Sequence, residues 1–350
     1  MRISLIYFPF LLILLSSCEE YYNPVIDITE GQLVVEAVIT NDPSRNFVHL
    51  TKSRSFYDET PPEAVSGARV ELVEINSKVF QGVESGPGNF NFNTVPVAGK
   101  NYKLRVLVRK DTYESEVVTM PPLPTISNFY TGHKESKIYV TDGYGFPQAF
   151  NVIGREIYAD ASVTSSLSYY RFDVRSVLEW TWDSTVTSAP PPPTMYGWIS
   201  FQNDKFNLAG PKIFSQTEKI EKHPLLMVSY NAKDYLHSDT LISNGWILII
   251  DQFGTSKGSY EYHEKLNSQF AADGSLFDPV QTQIYGNITC KTDPAKMVFG
   301  YFDLNSYRQY RYYLNLSSPM SAVTLRQIFR YPFIPDFGQT REGIPDWWER

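Results

Sequence analysis

The stretch Leu33-Val34-Val35-Glu36-Ala37-Val38-Ile39 carries a strong strand signal. β-Branched residues dominate it, and such side chains pack well on a pleated sheet. Several shorter stretches downstream alternate apolar and polar residues, which is typical of half-buried strands. They lie at residues 47–50, 68–72, 90–92 and 102–106, and turns rich in Pro, Gly and Asn separate them. Together these features predict a small β-sandwich over residues 31–120.

The remainder of the chain continues as β structure after the segment Met120-Pro121-Pro122-Leu123-Pro124, whose prolines break any strand and stiffen the connection. One helix is predicted, because Ser259 suits an N-cap and Tyr262, Leu266 and Phe270 recur four residues apart on one face. We expect residues 121–350 to form a larger antiparallel β-sandwich or an open barrel with one covering helix. The strand signals are the runs 170–174, 225–228, 246–250, 284–290, 297–302 and 310–314.

Composition narrows the class of protein. The chain has 350 residues, of which 42% are hydrophobic and 20% are charged, as in ordinary globular proteins. Its net charge of −7 makes nucleic acid a poor partner, because phosphate binding needs a basic face. With only two cysteines, the chain has no disulfide scaffold.

The N-terminus predicts a lipid anchor. The apolar run 3–15 is shorter than the roughly 20 residues that span a bilayer, but it suits the core of a signal peptide. It ends in Leu15-Ser16-Ser17-Cys18, which matches a bacterial lipobox. We therefore predict a signal peptide over 1–17, lipidation of Cys18 and a lipid-anchored tether over 18–30. An alkylated Cys18 leaves Cys290 without a partner in the chain, so we expect Cys290 to be a buried residue in a strand.

Two sets of motifs resemble known families. The glycines and alternating apolar residues at 67–70, 88–92 and 99–106 resemble Ig-like sandwiches of the prealbumin and carboxypeptidase-regulatory type, which implies a structural or spacing unit. The lipobox, the stretch Leu33–Thr40 and residues 65–70 are similar to a Bacteroidota lipoprotein family, domain of unknown function 4249. The most specific part of that resemblance is the later block Tyr260-Glu261-Tyr262, 274–279, Gly286-Asn287-Ile288 and Gly300-Tyr301-Phe302.

The resemblance implies an outer-membrane lipoprotein, often encoded beside a TonB-dependent receptor of the SusC type. Glu19-Glu20 resembles the acidic signal that sends such lipoproteins to the cell surface. We therefore expect a surface-exposed accessory protein that binds a ligand for the transporter or caps it. A structural or adhesive surface lipoprotein is the alternative, and an unrecognised hydrolase is the third hypothesis. The tail Gly343-Ile344-Pro345-Asp346-Trp347-Trp348 resembles the family's ending but lacks its cysteines.

The candidate catalytic and metal-binding motifs of the chain are incomplete. Gly254-Thr255-Ser256-Lys257-Gly258 matches G-x-S-x-G and lies between a predicted strand and a predicted helix, as a nucleophile elbow does. A hydrolase of that kind needs a distant histidine downstream, but the one later histidine, His263, is seven residues on in the same helix. The five histidines, at 49, 133, 223, 237 and 263, show no metal-ligand spacing. We therefore predict a protein without catalytic residues, metal or cofactor.

Aromatic residues provide the predicted contact sites. Trp180-Thr181-Trp182 and Tyr196-Gly197-Trp198 flank Pro190-Pro191-Pro192-Pro193, which indicates a β-hairpin with a stiff tip. If exposed, these rings would stack on a ligand or dock on a receptor, and if buried they would pack at the edge of the core. The predicted contact residues are Trp180, Trp182, Tyr196 and Trp198, together with Trp347 and Trp348, for which the same two alternatives hold.

Overall fold

A computed structural model describes residues 31–54, 58–141, 146–182, 195–202, 205–211, 219–229, 241–270 and 283–314. The described chain is mainly β, and its sheets form a sandwich-like arrangement that does not close into a barrel. The predicted fold class is therefore confirmed.

The described ranges contain eighteen strands and one α-helix. Their bounds are β1 (Leu33–Thr40), β2 (Phe47–Lys52), β3 (Arg69–Glu74), β4 (Val79–Gln81), β5 (Val83–Gly86), β6 (Asn89–Asn91), β7 (Asn101–Val108), β8 (Asp111–Ser115), β9 (Val118–Thr119), β10 (Ile126–Thr141), β11 (Pro147–Ser162), β12 (Tyr169–Trp182), β13 (Met195–Gln202), β14 (Asn207–Ala209), β15 (Lys219–Ser229), β16 (Leu241–Thr255), α1 (Lys257–Phe270), β17 (Ile288–Cys290) and β18 (Val298–Leu314).

A nine-stranded mixed sheet organises the molecule, with the order β13-β12-β16-β18-β1-β2-β6-β5 and β14 paired to β12. β1 runs parallel to β18 and antiparallel to β2, whereas β16 is antiparallel to both of its neighbours, β12 and β18. Successive side chains of a strand point to opposite faces. The register therefore gives the large sheet a back face that includes Val35, Phe302 and Phe172, and a front face that includes Glu36, Asp303 and Arg171.

The back face is covered by two smaller sheets. The six-stranded sheet β17-β8-β7-β3-β4, with β9 paired to β7, encloses the first core, which contains the fully buried Leu72, Phe90 and Tyr102. The three-stranded sheet β10-β11-β15 encloses the second core, where Tyr170 and Phe172 are 1% exposed. Each sheet pair thus buries one apolar face against another, as sandwiches do.

The first core uses residues from both ends of the chain. Phe302 and Leu304 of β18 and Cys290 of β17 lie in it together with residues of β1, β2, β3 and β7. The six-stranded sheet likewise pairs β17 with β8. Strands that follow the Pro-rich segment 120–124 therefore complete the sandwich predicted for residues 31–120. The boundary between the two predicted domains stays a prediction.

The helix α1 is present, but its cap and its buried face differ from the predictions. It begins at Lys257, and the Ser256 hydroxyl caps it by accepting the backbone N–H of Ser259 at 3.1 Å. Ser259 is therefore not the cap and lies buried within the first turns. The buried side chains are Ser259 and His263, whereas the predicted core residue Phe270 is 62% exposed. The buried face of α1 differs from the predicted apolar face because α1 covers polar groups on the front face of the sheet.

The last two strands, β17 and β18, can be compared with the predictions for residues 284–314. The runs 297–302 and 310–314, predicted as separate strands, belong to the single long strand β18. Cys290 is buried, is not disulfide-bonded and lies in β17, which confirms the expectation for its state.

Candidate ligand-binding cavity

A cavity of about 680 Å³ lies on the front face of the large sheet, beneath α1. Its size falls within the range of small-molecule sites, roughly 300–1,000 Å³. We call it the front cavity. β1, β2, β12, β16, β18, α1 and the segment around Phe206 contribute to its wall. The lining residues that matter for its chemistry are Glu36, Arg45, Arg171, Asp173, His263 and Asp303, with the rings of Phe47, Phe206, Phe253, Tyr262 and Tyr301.

A buried polar cluster forms the floor of the front cavity. Arg171 Nη1 donates to Asp303 Oδ2 at 3.1 Å, and Ser259 Oγ donates to Asp303 Oδ1 at 2.5 Å. The side chains of Arg171 and Asp303 are only 10% and 4% exposed. Charge-assisted hydrogen bonds of this kind are stronger than neutral ones, and they hold both groups in place.

His263 completes the cluster as a neutral imidazole. Its Nδ1 lies 2.8 Å from the backbone carbonyl of Ser259, so we assign the ring proton to Nδ1. Its Nε2 then accepts from Arg171 Nη1 at 3.3 Å. Burial lowers the pKa of His263; the Asp303 carboxylate opposes that shift, and the Arg171 charge adds to it. The ring therefore carries no charge at neutral pH.

Asp173 lies next to the same cluster but accepts no side-chain hydrogen bond from it. Its Oδ1 lies 3.6 Å from Arg171 Nε, which is too far for a hydrogen bond, and that buried Nε has no hydrogen-bond partner. Half of the Asp173 side-chain surface, 51%, is accessible, and the residue lines the front cavity. The surrounding protein raises the pKa of Asp173 by desolvation; Arg171 opposes this, and the Asp251 charge adds to it. Asp173 is thus a carboxylate that the fold leaves open to the cavity.

A second arginine lines the β2 side of the front cavity and is already paired. Arg45 Nη2 contacts Asp251 Oδ2 at 3.1 Å, and its Nε lies 3.8 Å from Asp42. Its guanidinium carbon also lies 4.1 Å from the centre of the Tyr307 ring. Tyr307 and Gln309 donate to Asp251 Oδ1 at 2.7 and 2.9 Å, so both carboxylate oxygens of Asp251 have partners within the protein.

Aromatic rings build the walls. Tyr262 of α1 stacks on Tyr301 of β18 with ring centres 4.5 Å apart, and Phe206 meets the edge of His263 at the same distance. The guanidinium of Arg171 lies 4.4 Å from the centre of the Phe253 ring. These contacts join the helix to the sheet and surround the polar floor with apolar surface.

The block Gly286-Asn287-Ile288 fixes β18 and therefore the cavity. Asn287 donates to the Phe302 carbonyl at 2.9 Å and accepts the Phe302 N–H at 2.8 Å. Gly300 has a φ of +90°, and a Cβ there would lie 2.0 Å from the Val35 carbonyl oxygen. Gly286 packs equally closely on Gly300. These residues leave no room for side chains at the glycines, and they set the positions of Tyr301 and Asp303 beside them.

The hydroxyls near His263 do not form a nucleophile and base pair. Ser256 caps α1, and its hydroxyl accepts the backbone N–H of Ser259. Ser259 Oγ lies 3.4 Å from His263 Nδ1, but that nitrogen's proton is directed to a backbone carbonyl, and Ser259 donates to a carboxylate. In a catalytic triad the serine instead donates to the histidine, and the carboxylate binds the opposite nitrogen. Within the described ranges, no group of three or more His, Cys, Asp or Glu could hold a metal ion.

The side chains of the predicted aromatic contact residues lie outside the described part of the chain. β12 and β13 pair as the predicted hairpin, in a register that places Trp180 opposite Gly197 and Trp182 opposite Met195. Neither tryptophan of β12 is therefore paired with Tyr196 or Trp198; Trp198 is paired with Glu179. The side chains of these four residues are outside the described part of the chain, as are Cys18, Trp347 and Trp348 entirely.

Sequence reasoning missed the residues of the cavity floor. Arg171 and Asp173 alternate with apolar residues of β12, and neither was among the predicted site residues, but Arg171 is 8% exposed. One signal could have found them: a histidine, His263, lies beside the apolar residues of a covering helix. A helix that carries His263 and Ser259 toward a sheet needs polar partners on that sheet.

A family comparison covers the part of the chain that forms the front cavity. The sequence profile of the family described as "Domain of unknown function (DUF4249)" matches residues 19–311. The chain belongs to this family. The match includes every residue of the front cavity and the Gly286-Asn287-Ile288 block. No curated protein and no solved structure matches the chain. Among the described residues, no helix of this DUF4249 protein is long and apolar enough to cross a membrane.

Proposed function

We propose that this protein is a surface-exposed outer-membrane lipoprotein that binds a small ligand as an accessory subunit of a TonB-dependent transporter of the SusC type. The front cavity carries the ligand-binding part of the proposal, because it combines ligand-sized volume, aromatic walls and a few fixed polar groups. The lipobox at Cys18 and the resemblance to Bacteroidota lipoproteins support the surface anchor and the transporter partner.

The contacts in the cavity suit binding better than chemistry. Arg171, Asp303, Ser259 and His263 hold one another through hydrogen bonds whose directions leave no activated nucleophile. Rigid groups of this kind bind and orient a ligand at low entropic cost. We therefore propose that the protein binds its ligand without transforming it.

The proposed anchor sets how far the cavity can lie from the membrane. Fourteen residues lie between Cys18 and Leu33, the first residue of β1, so fifteen Cα-to-Cα steps join them. A fully extended chain of that length spans at most about 50 Å. The folded part would thus stay close to the outer surface, within reach of the extracellular loops of a receptor.

Affinity purification from the native membrane tests this proposal. The full chain with a C-terminal tag is purified in mild detergent, and co-purifying proteins are identified by mass spectrometry. A TonB-dependent β-barrel receptor in near-equal amount is the expected result. Cys18→Ser is the matched control, because it removes only the lipidated thiol; it should appear in the soluble fraction without the receptor. Recovery of the wild-type lipoprotein alone, or membrane retention of Cys18→Ser, would contradict the proposal.

A further inference from the structure

The charges around the front cavity are unequal in number. The lining contains two arginines, Arg45 and Arg171, against three carboxylates, Glu36, Asp173 and Asp303. Arg45 is paired with Asp251, which carries a further negative charge beside the cavity. Because His263 is neutral, the group of Arg171, Asp173 and Asp303 has a net charge of −1.

The two charged lining residues that are exposed, Asp173 and Glu36, are both carboxylates. Both arginines already contact carboxylates and aromatic rings. Among the described residues, neither Asp173 nor Glu36 accepts a side-chain hydrogen bond, and both line the cavity. Each arginine is already in an ion pair with a carboxylate, although the buried Arg171 Nε has no hydrogen-bond partner, and an anionic ligand would also be repelled by the exposed carboxylate of Asp173. A cation would find at Asp173 a carboxylate that accepts no side-chain hydrogen bond and whose ion-pair contact with Arg171 Nε is 3.6 Å long.

We infer that the front cavity binds an organic cation: a primary amine on an apolar or aromatic body, with its ammonium group at Asp173. This assignment rests on the proposed ligand-binding function and names the class of ligand. The ammonium donates to the Asp173 carboxylate, and the apolar body contacts Phe253, on the neighbouring strand, and Phe206. Carboxylates and aromatic faces together are the surroundings that favour desolvated ammonium groups.

The arrangement of Arg171 also fits this class. Its fixed bonds to Asp303 and His263 hold it away from a strong bond with Asp173, since Nε remains 3.6 Å from that carboxylate and has no acceptor. Asp173 therefore keeps its accepting capacity for a ligand. Glu36 is three strands away from Asp173 and, by the register, about eight residues further along the sheet, which is roughly 30 Å, so it cannot contact a small amine bound at Asp173.

Isothermal titration with three matched probes tests the inference. The full lipid-anchored chain, in nanodiscs of uncharged phosphatidylcholine, is titrated with 2-phenylethylamine, 2-phenylethanol and 3-phenylpropanoate. These probes share a phenyl body and differ in charge. We expect the amine to bind at least tenfold more tightly than the alcohol, and the carboxylate to bind most weakly.

Variants locate the ammonium group. Asp173→Asn keeps the shape of the side chain and should weaken amine binding at least tenfold, with little effect on the alcohol. Glu264→Gln is the matched control, because Glu264 lies on the exposed side of α1 and does not line the cavity; it should leave amine binding unchanged. Circular dichroism melting checks that Asp173→Asn remains folded.

The outcomes separate this inference from the proposed function. Equal binding of the three probes, preference for the carboxylate, no binding of the amine at 10 mM, or an unchanged affinity in Asp173→Asn would each overturn the cation assignment. Binding of the alcohol or the carboxylate would still leave a ligand site, so the proposed accessory role would stand. Failure to co-purify a receptor would contradict that role while leaving the amine result intact.

Discussion

Removal of the Asp303 charge should destabilise the protein strongly. Asp303→Asn keeps the size of the side chain but leaves the Arg171 guanidinium without its closest carboxylate, in a site where the two side chains are 10% and 4% exposed. Loss of one partner from a buried ion pair typically costs 3–5 kcal/mol. Since Asp173 remains 3.6 Å from Arg171 Nε, we expect the lower end of that range, about 3 kcal/mol.

The measurement is a urea titration of the full chain, followed by tyrosine and tryptophan fluorescence, with calorimetry in parallel. For a chain of this size, about 3 kcal/mol corresponds to a lower melting temperature by roughly 4 °C. Glu63→Gln is the control, because its ion pair with Lys52 is on the surface and Glu63 is 68% exposed. Surface pairs contribute about 0–1 kcal/mol, so this variant should melt close to the wild type.

A double-mutant cycle decides whether the loss comes from the stranded charge. Arg171→Met removes the cation, so Arg171→Met combined with Asp303→Asn should be more stable than the sum of the two single losses predicts, by at least about 1 kcal/mol. A loss below about 1 kcal/mol for Asp303→Asn, or strictly additive losses, would refute the view that this pair holds the cavity floor together.

Three further predictions concern the same face of the sheet. Gly300→Ala places a Cβ against a backbone carbonyl of β1 at a φ of +90°, and calorimetry should show the free energy of unfolding lowered by at least about 3 kcal/mol. Gly99→Ala is the control: its φ is +80°, a Cβ there meets nothing within 4 Å, and the loss should be only about 1–2 kcal/mol. Equal losses in the two variants would show that the close contact is unimportant. Asn287→Ala leaves the N–H and C=O of Phe302 without their side-chain partner and should cost about 2–4 kcal/mol, with faster hydrogen exchange at the Phe302 amide; unchanged exchange would count against that role. Burial lowers the pKa of His263 below its ordinary 6.5, so on acidification the histidine is protonated in the unfolded chain before it is protonated in the folded one. The contribution of the neutral His263 to the free energy of unfolding is therefore complete above pH 6.5 and is lost as the pH falls below that value. His263→Gln should therefore lose less stability than the wild type between pH 7.5 and 5.5 in urea titrations, and parallel losses would contradict the shift.

Local patterns sufficed for most of the strands. The strand predicted from Leu33 to Ile39 from its β-branched residues forms β1, which ends one residue later at Thr40, and Val35 and Ile39 are fully buried. The alternation at 102–106 likewise corresponds to β7, which buries Tyr102, Leu104 and Val106. Period-two alternation works here because each of these strands buries one apolar face against a single core.

The site was harder to predict because it depends on contacts between distant segments. Arg171 alternates as an exposed residue would, and nothing near it in sequence shows that Asp303 lies within hydrogen-bond distance. The cap of α1 was placed three residues late because both Ser256 and Ser259 satisfy the local rule. Only the need of Asp303 for a hydrogen-bond donor explains why Ser259 is inside the helix. Propensity rules contain no term for such a requirement.

The parallel pairing of β1 with β18 explains why the cavity forms where it does. On the back face, Val35 and Phe302 of these strands belong to the first core; on the front face, Glu36, Tyr301 and Asp303 line the cavity. The apolar back face fixes the register, since a shift by one residue would turn the charged residues into the core. The same burial that stabilises the sandwich therefore sets the distances among the polar groups. A site built on two core strands is rigid, and rigidity of this kind favours recognition of one shape and charge over adaptation to many.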